Sequence, residues 1–238
     1  MSHSVFHFRH FTVHQDKCAM KVGTDGVLLG AWVLVHQARQ ILDIGTGTGL
    51  IALMMAQKSD DATIDAIEID ENAALQATEN FQMSDWSKRL HSIQTSIQSF
   101  STSTSKKYDL IVSNPPYFMG AHPAPIEARN VARHMDEHLS IEELVDCVKT
   151  LLADGGRFCT ILPQVEGARF LLYAKQNGLY PSRITRVITK TGKTEKRLLM
   201  EFSRTEKKTL EDDIILQDES GQYTTEYREL TTEFYPGM

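Results

Sequence analysis

Cysteine is scarce. Cys18, Cys147 and Cys159 are three in 238 residues, odd in number, widely spaced and without a C-x-x-C pair. This pattern excludes a disulfide framework and a clustered zinc site, and predicts three reduced thiols in a cytoplasmic protein that needs no metal. Long apolar runs are missing too: the longest nearly unbroken one, Val27 to Val35, is about half of the roughly 20 residues a membrane span needs. Met1 to Phe11 alternates His, Arg and aromatics in place of the apolar block of a secretion signal, so neither export nor membrane insertion is expected. Excess positive charge is also absent. A net charge of −6 argues against coating nucleic acid by bulk charge and leaves local patches to be weighed. Hydrophobic residues at 41% and charged residues at 24% are the proportions of a soluble globular chain. The length suits one large α/β domain, and nothing indicates an obligate oligomer, so a monomer is expected.

Charge is spread unevenly. Arg183 to Lys208 carries nine basic residues against three acidic, whereas Thr209 to the end carries eight acidic residues against Arg228 alone. The basic stretch suits either a solvated face or an RNA-backbone surface. Ser99 to Lys107, rich in Ser and Thr, reads as a surface loop.

The middle of the chain alternates short apolar runs with amphipathic segments. Strands are expected at Ile41–Ile44, Thr63–Ile69, Leu90–Thr95, Tyr108–Ser113 and Arg157–Leu162, the last stopped by Pro163. Helices are expected at Val27–Val35, Leu50–Gln57 and Glu71–Met83, the last capped by Asp70. Ser140-Ile141-Glu142-Glu143 is a capping-box signature for a further helix, closed by Gly155-Gly156. Ile184–Thr189 and Arg197–Phe202, close together around Gly192, suit an antiparallel hairpin on the sheet edge. Such alternation predicts a mainly parallel sheet with helices on both faces.

Where the first strand meets its helix stands Asp43-Ile44-Gly45-Thr46-Gly47-Thr48-Gly49. A dinucleotide fingerprint, G-x-G-x-x-G, would need a third glycine at Leu50. The G-x-G-x-G spacing behind an aspartate resembles instead that of S-adenosylmethionine (SAM) methyltransferases. That resemblance implies Asp43 near the cofactor's methionine end, with Gly45, Thr46, Gly47 and Gly49 passing close against it. Glu68, at the end of the second strand, is positioned to accept hydrogen bonds from both ribose hydroxyls. Beyond the third strand, where many methyltransferases carry Asp or Asn for adenine, this chain departs: Ser96 and Ile97 stand there, and the cofactor contacts expected of them are a hydrogen bond from Ser96 and packing of Ile97 on the ring.

After the fourth strand comes Asn114-Pro115-Pro116-Tyr117, which resembles the (N/D)-P-P-(Y/F) motif of amino-methyltransferases. The chemistry accounts for the residue types. An exocyclic or amide nitrogen is a poor nucleophile because its lone pair is delocalised. Two acceptors, the Asn114 side-chain oxygen and the Pro115 carbonyl, would hold its hydrogens and expose the lone pair. The prolines preorganise the loop, and Pro116 and Tyr117 would meet the base, Tyr117 by stacking on it after it is flipped out.

Further stretches narrow the substrate. Lys21-Val22-Gly23-Thr24-Asp25-Gly26 with Val27 to Trp32, Ala132-Arg133-His134, and Tyr223 to Tyr227 leading to Phe234-Tyr235 together resemble the bacterial tRNA(Val) (adenine-N6)-methyltransferase family. The resemblance covers about Phe6 to Tyr235. It implies a Rossmann-like class I fold: α/β, with a mainly parallel seven-stranded sheet, an antiparallel edge hairpin and helices on both faces. One domain, 1–238, is expected, with an N-terminal arm and helix (1–39), a SAM-binding core (40–208) and an acidic strand-and-helix extension (209–238). The implied reaction is methyl transfer from SAM to the adenine N6 at position 37 of tRNA. Thr24 and Asp25 would close over the cofactor, or cap the helix that follows. Arg133 and His134 would meet phosphate, and Lys193, Lys196 and Arg197 would contact the RNA backbone. Phe6, Phe8 and Phe11 form an arm that suits either RNA contact or packing on the core. The competing readings are a glutamine-N5 protein methyltransferase, an enzyme acting on another RNA base or on DNA adenine, and a silent SAM- or RNA-binding module.

Overall fold

Ile41, Leu42 and Ile44 are buried on both faces of their strand, Ile41 in one hydrophobic cluster and Leu42 and Ile44 in another. That marks the middle layer of three, with helices on either side. The computed structural model describes residues 4–116 and 139–236. Its elements run β1 (Val5–His7), β2 (Thr12–His14), α1 (Thr24–Trp32), β3 (Gln40–Ile44), α2 (Leu50–Lys58), β4 (Thr63–Glu68), α3 (Glu71–Gln82), β5 (Leu90–Gln94), α4 (Ile97–Ser103) and β6 (Tyr108–Ser113), then α5 (Ile141–Leu151), β7 (Leu152–Pro163), α6 (Gln164–Gln176), β8 (Tyr180–Lys190), β9 (Glu195–Ser203), β10 (Leu210–Gln217) and α7 (Thr225–Thr231).

The main sheet has the order β10-β8-β9-β7-β6-β3-β4-β5. Strands β5, β4, β3, β6 and β7 are parallel, and β9 runs against β7 and β8. From β3 the chain builds outward through β4 to β5, then returns to place β6 on the other side of β3. The carboxyl ends of β3 and β6 therefore flank a topological switch point, where open α/β sheets bind ligands.

The sheet has eight strands among the described residues, one more than expected. The additional strand is β10, parallel to β8. Consequently the β8–β9 hairpin does not form the edge: β9 lies between β7 and β8, and β10 covers β8. The reason is charge as well as hydrogen bonding. Asp212 pairs with Arg183 at 3.5 Å, and Arg186 pairs with Asp213 at 3.1 Å and with Glu211.

Three local expectations are also corrected. The first helix starts at Thr24 and ends at Trp32, with Gly23 at its N-cap and no side chain capping it, so Thr24 and Asp25 are first-turn residues and not caps. Much of the serine-rich stretch read as a loop is helical: Ser96 caps α4, accepting from the Ser99 N–H at 3.1 Å, while Ile97 and Ser101 are buried. The helix after Ser140 closes at Leu152, directly into β7. Gly155, at a φ of +79°, lies where the β6–β7 register jumps from Tyr108–Leu152 to Leu110–Arg157. The Asp70 cap and the Ser140–Glu143 capping box are formed.

The N-terminal aromatics pack on the core. Phe8 and Phe11 are buried and stacked at 4.6 Å, with Tyr235 5.9 Å from Phe8 and Trp86 6.0 Å from Phe11. Arg9 N–H donates to the Phe234 carbonyl at 2.7 Å, joining the β1–β2 ribbon to the C-terminal segment. No helix among the described residues is long and apolar enough to cross a membrane.

Candidate active site

The turn after β3 needs its glycines for two different reasons. Gly45, Gly47 and Gly49 take φ values of +71°, +55° and +84°, a region that side chains disfavour. At Gly49 space is closed as well: an added Cβ would stand 2.5 Å from the Phe81 ring. At Gly45 and Gly47 an added Cβ would meet nothing within 4 Å, so this part of the turn faces open space.

That space is a cavity of about 840 Å³, within the range of small-molecule sites. Gly45, Thr46, Gly47 and Thr48 form one wall, Glu68 to Asp70 another, and Ser96 to Gln98 a third; Asn114, Pro115 and Pro116 stand at the β6 end. Thr24 and Asp25 line it from α1. The two strand ends beneath it are stitched together by Ser113 Oγ donating to the Ile44 carbonyl at 3.0 Å.

Asp43 does not line the cavity. It is fully buried under the turn, where its Oδ2 accepts from Thr46 Oγ1 at 2.6 Å. Its Oδ1 is buried without a hydrogen-bond partner among the described residues. Burial pushes the carboxyl up to about 7, against the opposing pull of the Thr46 hydroxyl and the Ala52 N–H in the first turn of α2; the charge of Glu68 pushes it up further. Asp43 therefore reaches the cavity only through Thr46, which lines it, and through its field. Gly49 likewise shapes the turn without lining the cavity.

Glu68 does line it, and also holds the turn. Its Oε2 accepts from Gly47 N–H at 2.8 Å, and its Oε1 accepts from the N–H groups of Ile69 (2.9 Å) and Asp70 (3.1 Å). Of the roughly four lone-pair positions on a carboxylate, about one is left for a ligand hydroxyl in this arrangement. Ser96 and Ile97 line the cavity, although Ser96 Oγ already accepts from the Ser99 N–H and donates to Ser99 Oγ at 3.0 Å.

Asn114 stands beside the start of α1: an added Cβ on Gly26 would lie 3.9 Å from Asn114 Nδ2. Arg197, expected to meet RNA, donates from Nε to Asp25 at 2.8 Å and ties β9 to this first turn. Lys193 and Lys196 are exposed at the β8–β9 turn, outside the cavity lining. Tyr117, Arg133 and His134 lie outside the described residues.

Sequence reasoning missed Cys18 to Val22, Gln98 and Glu143, all of which line the cavity. The best available signal was on α3, where Gln76 and Asn80, both buried, share an otherwise apolar face with Ala73 and Ala77. Polar side chains at such positions need partners, and theirs come from the segment that precedes α1.

Chemically, the arrangement provides a cleft with a carboxylate suited to hydroxyls at one wall, and Asn114 beside Pro115 at the other. Residues 21–142 match the family model described as the methyltransferase small domain. The tRNA1(Val) (adenine(37)-N6)-methyltransferase of Bacteroides fragilis is 47% identical over 239 residues, covering 100% of each chain. The enzyme of that name from Flavobacterium johnsoniae is 47% identical over 98% of this chain and 100% of its own. That from Photorhabdus laumondii is 44% identical over 97% and 94%. Among solved structures, a predicted O-methyltransferase from Agrobacterium tumefaciens superposes with a TM-score of 0.70 at 16% identity, covering 88% of this chain and 96% of its own. A 16S rRNA N2 G1207 methyltransferase from T. thermophilus, in complex with AdoMet and guanosine, does so with a TM-score of 0.56 at 16% identity, over 84% and 50%. The last two likenesses show the shared fold.

Proposed function

The chain belongs to the tRNA1(Val) (adenine(37)-N6)-methyltransferase family, and from that premise we propose how its own residues carry out the transfer of a methyl group from SAM to the N6 amine of adenine 37. The observation that carries the assignment of roles is the shared cavity: Asn114 and Pro115 stand in the same enclosure as the glycine turn and Glu68.

The residues present fit SAM. The space over Gly45 and Gly47 admits a ligand against the backbone, Glu68 retains acceptor capacity for a ribose hydroxyl, and Ile97 and Ile69 offer apolar surface for an adenine ring. The buried carboxylate of Asp43, under the turn, favours positive charge above it. When bound, SAM would supply a methyl carbon made electrophilic by the sulfonium; the amine lone pair would form the N–C bond as the C–S bond breaks onto sulfur, and the methylated nitrogen would then release one of its two hydrogens as a proton to water. Asn114 accepts one N6 hydrogen on its side-chain oxygen and the Pro115 carbonyl accepts the other, which draws the nitrogen toward pyramidal geometry. Pro115 and Pro116 fix φ and remove two backbone donors that would compete. The protein's contribution is alignment and electrostatic preorganisation.

Pro116 borders the base. Tyr117 is assigned the stacking role, and Arg133 and His134 phosphate contact, from the sequence. Lys193 and Lys196 are assigned to the RNA backbone because the β8–β9 turn extends from the end of β9 at which Arg197 holds α1. Arg197 itself is reassigned to α1. Acting on tRNA, the protein works in the cytoplasm as a monomer.

Purified protein with methyl-labelled SAM tests this against total tRNA, bulk protein and DNA. Label in tRNA, recovered as N6-methyladenosine after digestion, is expected. Label on protein glutamine with unmodified tRNA would replace this reading with the protein-methyltransferase one.

A further inference from the structure

Two walls of the cavity belong to no regular element: the glycine turn at 45–49 and the segment 15–22, which leads from β2 to α1 without helix or strand of its own. Cys18 to Val22 line the cavity directly. What fixes this segment is α3. The Asn80 side chain, 1% exposed, accepts from the His14 N–H at 2.9 Å through Oδ1 and donates through Nδ2 to the His14 and Thr48 carbonyls, both at 2.8 Å. One side chain therefore satisfies both main-chain groups of His14 and a carbonyl of the glycine turn.

The rest of the segment is pinned in the same way. Gln76, fully buried one turn before Asn80, accepts from the Lys17 N–H at 3.0 Å, and Lys17 pairs with Glu79. Gln15 accepts from the Val22 N–H at 2.7 Å, drawing the two ends of the segment together, while the Lys21 ammonium donates to the Gln15 carbonyl and, at 3.0 Å, to that of Cys18. The segment is a strap, closed on itself, bolted to α3 at Lys17 and anchored at its start by the hold of Asn80 on His14, the last residue of β2.

The fold alone does not call for an amide at position 80. Its buried neighbours on α3 are Gln76, Ala77 and Phe81, and an apolar side chain could pack there, at the cost of leaving the His14 and Thr48 main-chain groups without this partner. What the amide adds is a fixed distance between strap and glycine turn.

We propose that Asn80 is a positioning residue for the cofactor, holding the strap 15–22 against the glycine turn so that the two walls close on the ligand as one unit. This rests on the reading of the cavity as the SAM site. It makes strap order and cofactor binding one equilibrium, separate from tRNA recognition.

Hydrogen exchange on the full chain, with and without S-adenosylhomocysteine, tests it in the unaltered protein. Residues 14–22 and 45–49 should gain protection together. Protection of 45–49 with 14–22 unchanged would overturn the proposal and leave the cofactor reading standing. Absence of binding to the unaltered protein would overturn both. In variants, Asn80→Ala should weaken S-adenosylhomocysteine binding about tenfold, which corresponds to about 1.4 kcal/mol. The KM for SAM should rise in proportion, with that for tRNA moving less than about twofold. Asn80→Asp keeps the acceptor for His14 but neither donor, so it should resemble the alanine variant and not rescue it. Unchanged affinity in both variants would overturn the proposal, and if neither folds, the exchange experiment decides it.

Discussion

Replacing Asp43 with asparagine should make the ligand-free protein more stable and the cofactor site worse. The side chain is fully buried, with one oxygen on the Thr46 hydroxyl and the other without a hydrogen-bond partner among the described residues. Its carboxyl is pushed up to about 7 by burial, whereas the unfolded chain has the ordinary value of about 3.9. Between these two values the native state holds a proton that the unfolded state has released. Stability from this residue is therefore greatest below about pH 4, falls by about 1.4 kcal/mol per pH unit as the pH rises, and levels off above about 7. The full loss is about 4 kcal/mol. The isosteric replacement Asp43→Asn cannot ionise and lacks this penalty. Denaturant unfolding of both proteins from pH 5 to 8 should give a stability difference that grows with pH in favour of the variant, then becomes constant. Subtracting the two curves cancels the titration of every other group. A difference that stays flat across that range would refute the argument that this carboxylate is held against its own desolvation. The functional counterpart is weaker SAM binding by the variant above pH 7, because the negative charge beneath the turn is gone. Stability given up for a functional charge is a common exchange at sites.

Further outcomes follow from the same geometry. Asn114→Ala should keep S-adenosylhomocysteine affinity within about twofold by calorimetry while single-turnover methylation falls by about 10²–10³, the usual effect of removing a preorganised polar partner. Glu68→Ala removes the acceptor for the Gly47 N–H and for the ribose, so cofactor Kd should rise by at least about tenfold with the tRNA KM little changed. Lys193→Ala and Lys196→Ala should each flatten the dependence of log K for tRNA on log salt by roughly 0.7–0.9, whereas Arg186→Ala should leave that slope unchanged, because its charge is engaged by Glu211 and Asp213. Ser140→Ala, which breaks the capping box on α5, should cost about 1 kcal/mol in chemical denaturation.

Elements with a local signal were legible in the sequence. The strands at Ile41, Thr63 and Tyr108 are short, largely apolar segments, and Asp70 and Ser140 cap helices through their own side chains. The glycine turn was legible because positive φ restricts residue choice. What escaped depends on partners distant in the chain. Ser99 to Ser103 is polar enough for a loop, yet the burial of Ile97 and Ser101 and the Ser96 cap hold it helical. Asp43 invites assignment to the ligand until its burial is known. The strap has no periodicity, since Lys17 bonds a side chain on α3 while Gln15, Lys21 and Val22 bond within the strap itself.

The opposite charges of the last two stretches become intelligible only in the register of β8 and β10. Leu210 faces Arg183 and Asp213 faces Arg186, so the acidic segment lies along the basic strand and neutralises its first half. Arg183 is occupied twice, by Asp212 and by the Trp32 ring 4.5 Å away. This separates the basic stretch into a structural part and an exposed one. Arg183 and Arg186 hold β10 in the sheet, and Arg197 holds α1. Lys193, in the turn beyond β8, and Lys196, at the start of β9, stay exposed. A negatively charged backbone approaching this face would meet lysines near the turn and carboxylates along β10, so the acidic extension would confine the proposed RNA contact to the neighbourhood of the turn. Removing the carboxylates should broaden that contact: the triple change Glu211→Gln, Asp212→Asn, Asp213→Asn is expected to steepen the salt dependence of tRNA binding by more than one unit of slope, about what two newly available cations contribute. An unchanged slope would mean that the β8 face lies out of the RNA's reach.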